Sequence, residues 1–360
     1  MQLKLDNTKV YAVALEGGGA KGAYEIGAWQ ALNEAGIQYN AVSGTSVGAL
    51  NGALMVMRDF DRAVSAWRDI RLSKVIDVGG DQEENLRKIV SGELSFSDIH
   101  QLIPQALEII RKRGLDVAPL RAWVREIIDP KRVKSSDVEF FVSTVSLSDR
   151  KGMEIKVNDL PEDEICDMLL ASAYHPSFRM EKLGGKYYAD GGFVDTLPLH
   201  ALVEAGYKDI IAVRIPGHGL ERHFHIPEDV NINVIDTHSD LGGVLNFDAG
   251  QSRRDMQIGY LDAKKTLYGL YGAQYYIDRT ITEREALSWL LDRGVTDSAG
   301  SLRPYVEREL PYQARMMNAE GSYYELMIAH LEVDAAALGV ERLRVLTDRE
   351  LIHEIERARA

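Results

Sequence analysis

Twice within the first fifty or so residues, a short apolar run ends in a glycine-rich turn that opens a helix-like stretch. Val10-Tyr11-Ala12-Val13-Ala14-Leu15 passes straight into Glu16-Gly17-Gly18-Gly19-Ala20-Lys21-Gly22, and a helical pattern follows to about Ala35, stopped by Gly36. A second run, around Tyr39 to Ser43, enters Gly44-Thr45-Ser46-Val47-Gly48 and then a helix to about Arg58. Apolar runs this short and continuous fit strands buried on both faces of a parallel sheet. The chain therefore begins βαβα. Both glycine turns fall at C-terminal ends of strands, which is where open α/β sheets build their sites.

Gly44-x-Ser46-x-Gly48 is the pattern of a nucleophile elbow, a serine held on a sharp strand-to-helix turn with its hydroxyl exposed. Glycine alone enters positive φ freely, and small flanks let a carbonyl approach the hydroxyl. In the helix that follows, Gly48 and Gly52, and Ala49 and Ala53, stand four apart, so small residues share one face. The N-terminus of that helix aims N–H groups and a positive dipole end at the serine. A glycine-rich turn with no chemistry accounts for these five residues equally well.

The upstream loop, Gly17-x-Gly19-x-x-Gly22, satisfies the dinucleotide fingerprint literally. A dinucleotide site also wants a carboxylate at the end of the second strand for the ribose. That strand ends in Val42-Ser43-Gly44, which disfavours a dinucleotide-binding protein. The phosphate-binding Walker pattern fails as well, because Lys21 is followed by Gly22. Consecutive glycines can instead turn several N–H groups toward one point, as an oxyanion hole requires. A tight β–α loop without a ligand is the remaining reading.

A serine hydroxyl needs a base to take its proton. His218, His223, His225 and His238 follow both Ser46 and Asp190, so a Ser-Asp-His order is formally open, but turn residues bracket none of them. His175, before Pro176, reads as a packed or hydrogen-bonded residue. The clustered histidines match no closed zinc spacing, and neither metal nor cofactor is expected. Asp190 lies in Tyr187-Tyr188-Ala189-Asp190-Gly191-Gly192, at a turn with small neighbours. Within reach of the serine it can act as general base. Alone, it equally well caps an Asp-Gly turn.

Taken together, Glu16-Gly17-Gly18-Gly19-Ala20-Lys21-Gly22, Gly44-Thr45-Ser46-Val47-Gly48 and Asp190-Gly191-Gly192 resemble, in order, the three blocks of the patatin-like phospholipases. Ala171-Ser172-Ala173-Tyr174-His175-Pro176-Ser177-Phe178 looks like a fourth block of bacterial members. The resemblance covers roughly Val10 to Val213. It implies an α/β/α sandwich around a mostly parallel sheet, Ser46 as nucleophile and Asp190 as proton acceptor, a dyad without histidine. By the same resemblance the Gly17-Gly18-Gly19 backbone forms the oxyanion hole. The activity implied is a lipid acyl hydrolase of phospholipase or esterase type, with a lipid ester substrate and transient membrane or micelle contact. A catalytically silent regulatory or scaffold protein on the same fold is the rival, and the intact serine, aspartate and glycine loop count against it. Glu16 stands where many members have Asp, and Lys21 where many have Arg. Charge is kept, but lysine lacks the planar fork of arginine for phosphate.

Elsewhere the sequence gives organisation rather than chemistry. The core is expected over residues 8–215, with an insertion or lid at about 71–118, and a mostly helical region over 216–360 packed on the core. Helices are expected over 60–70, 96–113, 119–128, 161–173 and 198–205. Strands are expected over 136–146 and 152–157, joined by a hairpin around Asp149 to Gly152, with further strands at 210–213 and 231–235. Beyond Phe247, Thr282-x-x-Glu285 and Thr347-x-x-Glu350 fit capping boxes, and Tyr324, Met327, Ile328 and Leu331 mark one helix face. The net charge of −13 argues against a nucleic-acid partner, which would need a basic stripe. The lone cysteine, Cys166, excludes an intrachain disulfide and fits a reducing compartment. Met1 to Asp6 has no apolar signal-peptide core, and no run approaches the ~20 apolar residues of a membrane span. A cytoplasmic location is the expectation.

Overall fold

The computed structural model describes residues 2–75, 114–215, 219–297 and 302–360. Two compact units emerge: Asp6–Ala263, and the residues up to Leu5 together with Lys264–Ala360. Each is taken on its own.

The first unit is built on a seven-stranded, mostly parallel sheet. β1 (Val10–Leu15) is followed by α1 (Ala23–Glu34), β2 (Gln38–Thr45), α2 (Val47–Val56) and α3 (Phe60–Arg68). Next come α4 (Ala118–Ile127), β3 (Glu139–Ser146), β4 (Lys151–Lys156), α5 (Glu162–Ser172) and β5 (Tyr188–Asp190). α6 (Leu199–Glu204), β6 (Asp209–Val213), β7 (Asn231–Ile235) and the first part of α7 (Ala249–Tyr268) complete it. The strand order is β4-β3-β2-β1-β6-β7, with β5 added on β3. β1 lies at the centre, with Ala12, Val13 and Ala14 at 0% exposure, which is why its sequence is an unbroken apolar run. Ala12, Ala14, Ala41 and Ala212 form a small-residue floor, with Ile210, against Leu197 and Leu202, the latter in α6. α2 is buried over all ten residues, so it is apolar all round instead of amphipathic.

β3 has an edge that two strands share. β2 pairs with it in parallel from Ala41↔Glu139 to Thr45↔Ser143. β5 then pairs antiparallel from Thr144↔Asp190 to Ser146↔Tyr188. β4 occupies the other edge over the same residues, so β5 continues the line that β2 leaves off. The end of β2 and Asp190 are thereby opposite consecutive residues of β3.

Two expectations shift. The hairpin between β3 and β4 turns at Leu147–Arg150, with Arg150 at φ 55°, two residues before the expected Asp149 to Gly152. Where the sequence reading ended the core at 215, the compact unit runs on to Ala263. β7 extends the sheet along β6, and α1 and α7 touch backbone to backbone. A Cβ on Gly27 would stand 1.8 Å from Met256 O, and one on Gly259 1.9 Å from Tyr24 O. Most of the expected lid, the whole expected helix 96–113 and His218 lie outside the described residues.

The second unit is mostly helical, with a short parallel ribbon of β8 (Tyr276–Asp278) and β9 (Val345–Thr347). α8 (Glu283–Asp297), α9 (Tyr323–Ala337) and α10 (Asp348–Arg359) supply the helices that pack its core. Tyr324, Met327, Ile328 and Leu331 are all buried in that core, as their spacing requires. Both capping boxes form: Thr282 N–H and Thr347 N–H donate to Glu285 and Glu350 at 2.8 and 2.7 Å. Among the described residues no helix is long and apolar enough to cross a membrane.

Candidate active site

At the end of β2 the chain turns through Ser46, at φ 56° and ψ −123°, and enters α2 at Val47. A non-glycine residue there carries strain of roughly 1–3 kcal/mol, which the surroundings must over-determine. They do so by contact between the flanking glycines. A Cβ on Gly44 would lie 2.3 Å from Gly48 O, and one on Gly48 would lie 2.6 Å from Leu15 O. The elbow closes only because neither side chain exists. From Ala41 to Leu50 every residue is buried except Ser46.

Asp190 meets it from β5. Ser46 Oγ donates to Asp190 Oδ2 at 2.7 Å, and Gly192 N–H donates to Oδ1 at 2.8 Å. The main chain of Asp190 is fixed by its own N–H on Tyr174 O at 2.9 Å. Gly191 must approach the sheet closely, since a Cβ there would stand 2.2 Å from Ser143 O. Burial pushes the Asp190 carboxyl above its usual value, while the Ser46 hydroxyl, the Gly192 N–H and the field of His175 restrain the rise. A carboxylate so placed can take the serine's proton through an existing hydrogen bond.

The glycine loop lies beside the elbow: a Cβ on Gly17 would be 3.2 Å from Ser46 Cβ. Gly17 N–H is already given to Thr196 O at 2.9 Å, and Ala20 N–H to Val244 O at 2.8 Å. The N–H groups of Gly18 and Gly19 have no acceptor among the described residues. Glu16 is buried and accepts Ile215 N–H at 2.8 Å, so it anchors the loop to the end of β6. Lys21 is buried too.

Ser172, in the fourth sequence block, braces the elbow. Its Oγ accepts Ser46 N–H at 2.9 Å and donates to Ser143 O at 2.7 Å. Thr45 Oγ1 donates to Asp195 O at 2.8 Å, tying the elbow to the loop after Asp190. Serine at a helix C-terminus has no local signature, so only the fold brings Ser172 forward. Among the described residues no histidine hydrogen-bonds to Ser46 or Asp190. His175 Nδ1 instead accepts Ser177 N–H at 3.2 Å. Glu154, His200 and Glu204 bring three metal-competent atoms within 4.8 Å of one another. Glu154 sits 2.8 Å from Nδ1 and Glu204 3.4 Å from Nε2, so the carboxylates occupy opposite edges of the ring, and Glu154 ties β4 to α6.

Residues 13–203 match the family model described as patatin-like phospholipase. The lysophospholipase NTE1 of Cryptococcus neoformans is 26% identical over 204 residues, 56% of this chain and 11% of that protein. The patatin-like phospholipase domain-containing protein M110.7 of Caenorhabditis elegans is 26% identical over 207 residues, 56% of this chain and 16% of its own. The chain thus spans less than a fifth of the length of either relative. Among solved structures, VipD from Legionella pneumophila aligns over 92% of this chain and 81% of its own, at 16% identity and a TM-score of 0.40.

Proposed function

The chain belongs to the patatin-like phospholipase family, and on that premise we propose that it is a lipid acyl hydrolase working through Ser46 and Asp190. Asp190 Oδ2 takes the proton of Ser46 Oγ as the oxygen attacks the ester carbonyl carbon. The carbonyl π pair moves to oxygen, where the free N–H groups of Gly18 and Gly19 receive the negative charge. Collapse of this intermediate expels the alcohol, which takes the proton back from Asp190, and leaves the acyl group on Ser46. Water then attacks the acyl-enzyme with Asp190 again as base, and a fatty acid leaves. No step requires a metal or cofactor.

The single observation that carries this reading is the 2.7 Å hydrogen bond between Ser46 Oγ and Asp190 Oδ2, on a strained turn next to a glycine loop whose Gly18 and Gly19 N–H groups have no acceptor among the described residues. A substrate in membrane or micelle would be met transiently at that surface. Two relatives carry lysophospholipase or phospholipase in their names, which makes single-chain phospholipids the first substrates to try. The test is covalent labelling with a fluorophosphonate, mapped by mass spectrometry, beside lipidomic readout on mixed phospholipids and neutral lipids. The expected result is an adduct on Ser46 and release of free fatty acid. A folded protein that takes up no label and consumes no lipid would favour the silent scaffold.

A further inference from the structure

Asn51 lies in the middle of α2, one turn beyond the elbow, and is 1% exposed. Its amide is used at both ends. Nδ2 donates to Gly22 O at 2.9 Å and to Glu25 Oε2 at 2.7 Å, and Oδ1 accepts Trp67 Nε1–H at 2.8 Å. Gly22 closes the 3-10 turn Gly19–Gly22 that carries the glycine loop into α1, Glu25 stands in the first turn of α1, and Trp67 lies in α3. One side chain thus ties three elements to the helix that starts at the serine.

The contact leaves little slack. A Cβ on Gly22 would stand 2.6 Å from Val47 Cγ2 and 2.9 Å from Trp67 Cζ2, so the turn already presses on the first residue of α2. The near end of the loop is held separately, by Gly17 N–H on Thr196 O. Burial drives the Glu25 carboxyl well above its usual value. Asn51 meets that carboxyl with an uncharged amide, so it adds no buried charge of its own.

We infer that Asn51 is a positioning residue: by holding Gly22 and α1 against α2, it fixes how far the Gly18 and Gly19 N–H groups stand from Ser46 Oγ. The inference rests on the acyl-hydrolase reading above. Donors act on an oxyanion only when set at hydrogen-bond distance from where it forms, so a loop free to drift loses rate while the substrate still binds. Asn51 touches neither substrate nor Ser46, and its effect runs through the loop.

The experiment compares Asn51→Leu and Trp67→Phe with wild type in p-nitrophenyl butyrate hydrolysis and in the rate of fluorophosphonate labelling at Ser46. Asn51→Leu removes all three hydrogen bonds, and Trp67→Phe removes only the one to Oδ1. The expected result is a kcat lowered ~10- to 100-fold in Asn51→Leu, with KM within about twofold, labelling slowed in parallel and the pH profile unmoved. Trp67→Phe is expected to lower kcat ~3- to 5-fold, and it decides the matter if Asn51→Leu does not fold. A folded variant with a lower melting temperature but wild-type kcat and labelling overturns the inference and leaves Ser46 and Asp190 in place. A wild-type protein that neither labels nor hydrolyses overturns the acyl-hydrolase reading first, and this inference with it.

Discussion

Each compact unit draws an aspartate inward, Asp190 half-buried and Asp348 fully buried, and the two are held in opposite ways. Asp190, in the α/β unit, accepts one hydroxyl and one N–H. Asp348, in the C-terminal unit, is 0% exposed and accepts Thr280 N–H at 2.7 Å, Ile281 N–H at 2.8 Å and Tyr324 OH at 3.0 Å, with the Thr280 hydroxyl as well. Burial pushes both carboxyls up. In Asp348 the donors outweigh it and the pKa falls below the usual value, whereas in Asp190 burial wins and the pKa rises. The count of donors sets the direction of the shift in these two carboxyls. Asp348 spends its oxygens on holding the turn before α8. Asp190 keeps an oxygen whose one hydrogen bond among the described residues comes from Ser46 Oγ, the group that the proposed mechanism has it deprotonate.

The contrast can be broken first at the site. Asp190→Asn is expected to lower ester hydrolysis by ~10²–10⁴-fold, and Ser46→Ala to bring it to background, while circular dichroism shows a folded protein. Asp190→Asn is also expected to leave the melting temperature at pH 7 unchanged or raised. A group whose folded pKa is raised favours the folded state only below its unfolded value, and that contribution is gone at neutral pH. The rate itself should fall as pH drops through a midpoint above 3.8, because the base must be ionised, and a midpoint below that value would contradict the upward shift. Asp348→Asn should do the reverse. It should lower stability by about 2–3 kcal/mol in denaturant melts, by replacing an acceptor oxygen with an NH2 donor that faces other donors, with the rate of Ser46 labelling unchanged below the melt. Wild-type stability carried by Asp348 should be present above the unfolded aspartate pKa and lost as pH falls through the depressed folded value. The smallest effect is at Ser172→Ala, which leaves Ser46 N–H without its acceptor. About 1 kcal/mol of stability and a several-fold drop in labelling rate are expected, and an unchanged rate would show that the strained turn holds without it.

What the sequence revealed of this site follows from what leaves a mark in a sequence. Gly44, Gly48 and Gly191 are legible because a Cβ at each would collide with a backbone atom, and only one residue type avoids that. The central strand is legible because both its faces are covered. The meeting of Ser46 with Asp190 is not, since it depends on two strands sharing the edge of a third across 144 positions. The family resemblance supplied that pairing, which the residues alone left open against an Asp-Gly turn. Ser172 and Asn51 were illegible for another reason: serine and asparagine within helices look like any solvent-facing polar residue, and only burial sets them apart. The reach of the sheet to β7 was half visible, as a short strand pattern from Asn231 to Ile235 after a polar loop.

The brevity of β5 has a consequence for how the protein tolerates change. Only Tyr188, Ala189 and Asp190 pair with β3, and successive residues of a strand face opposite sides. One residue inserted or deleted between Tyr188 and Asp190 would therefore turn the carboxylate to the far side of the sheet, while the strand itself still paired. The exposed turn at Gly184 and Gly185, where an added Cβ would meet nothing within 4 Å, carries no such parity, so length can vary there. Along this stretch the spacing that matters to the chemistry is counted in whole residues, odd or even.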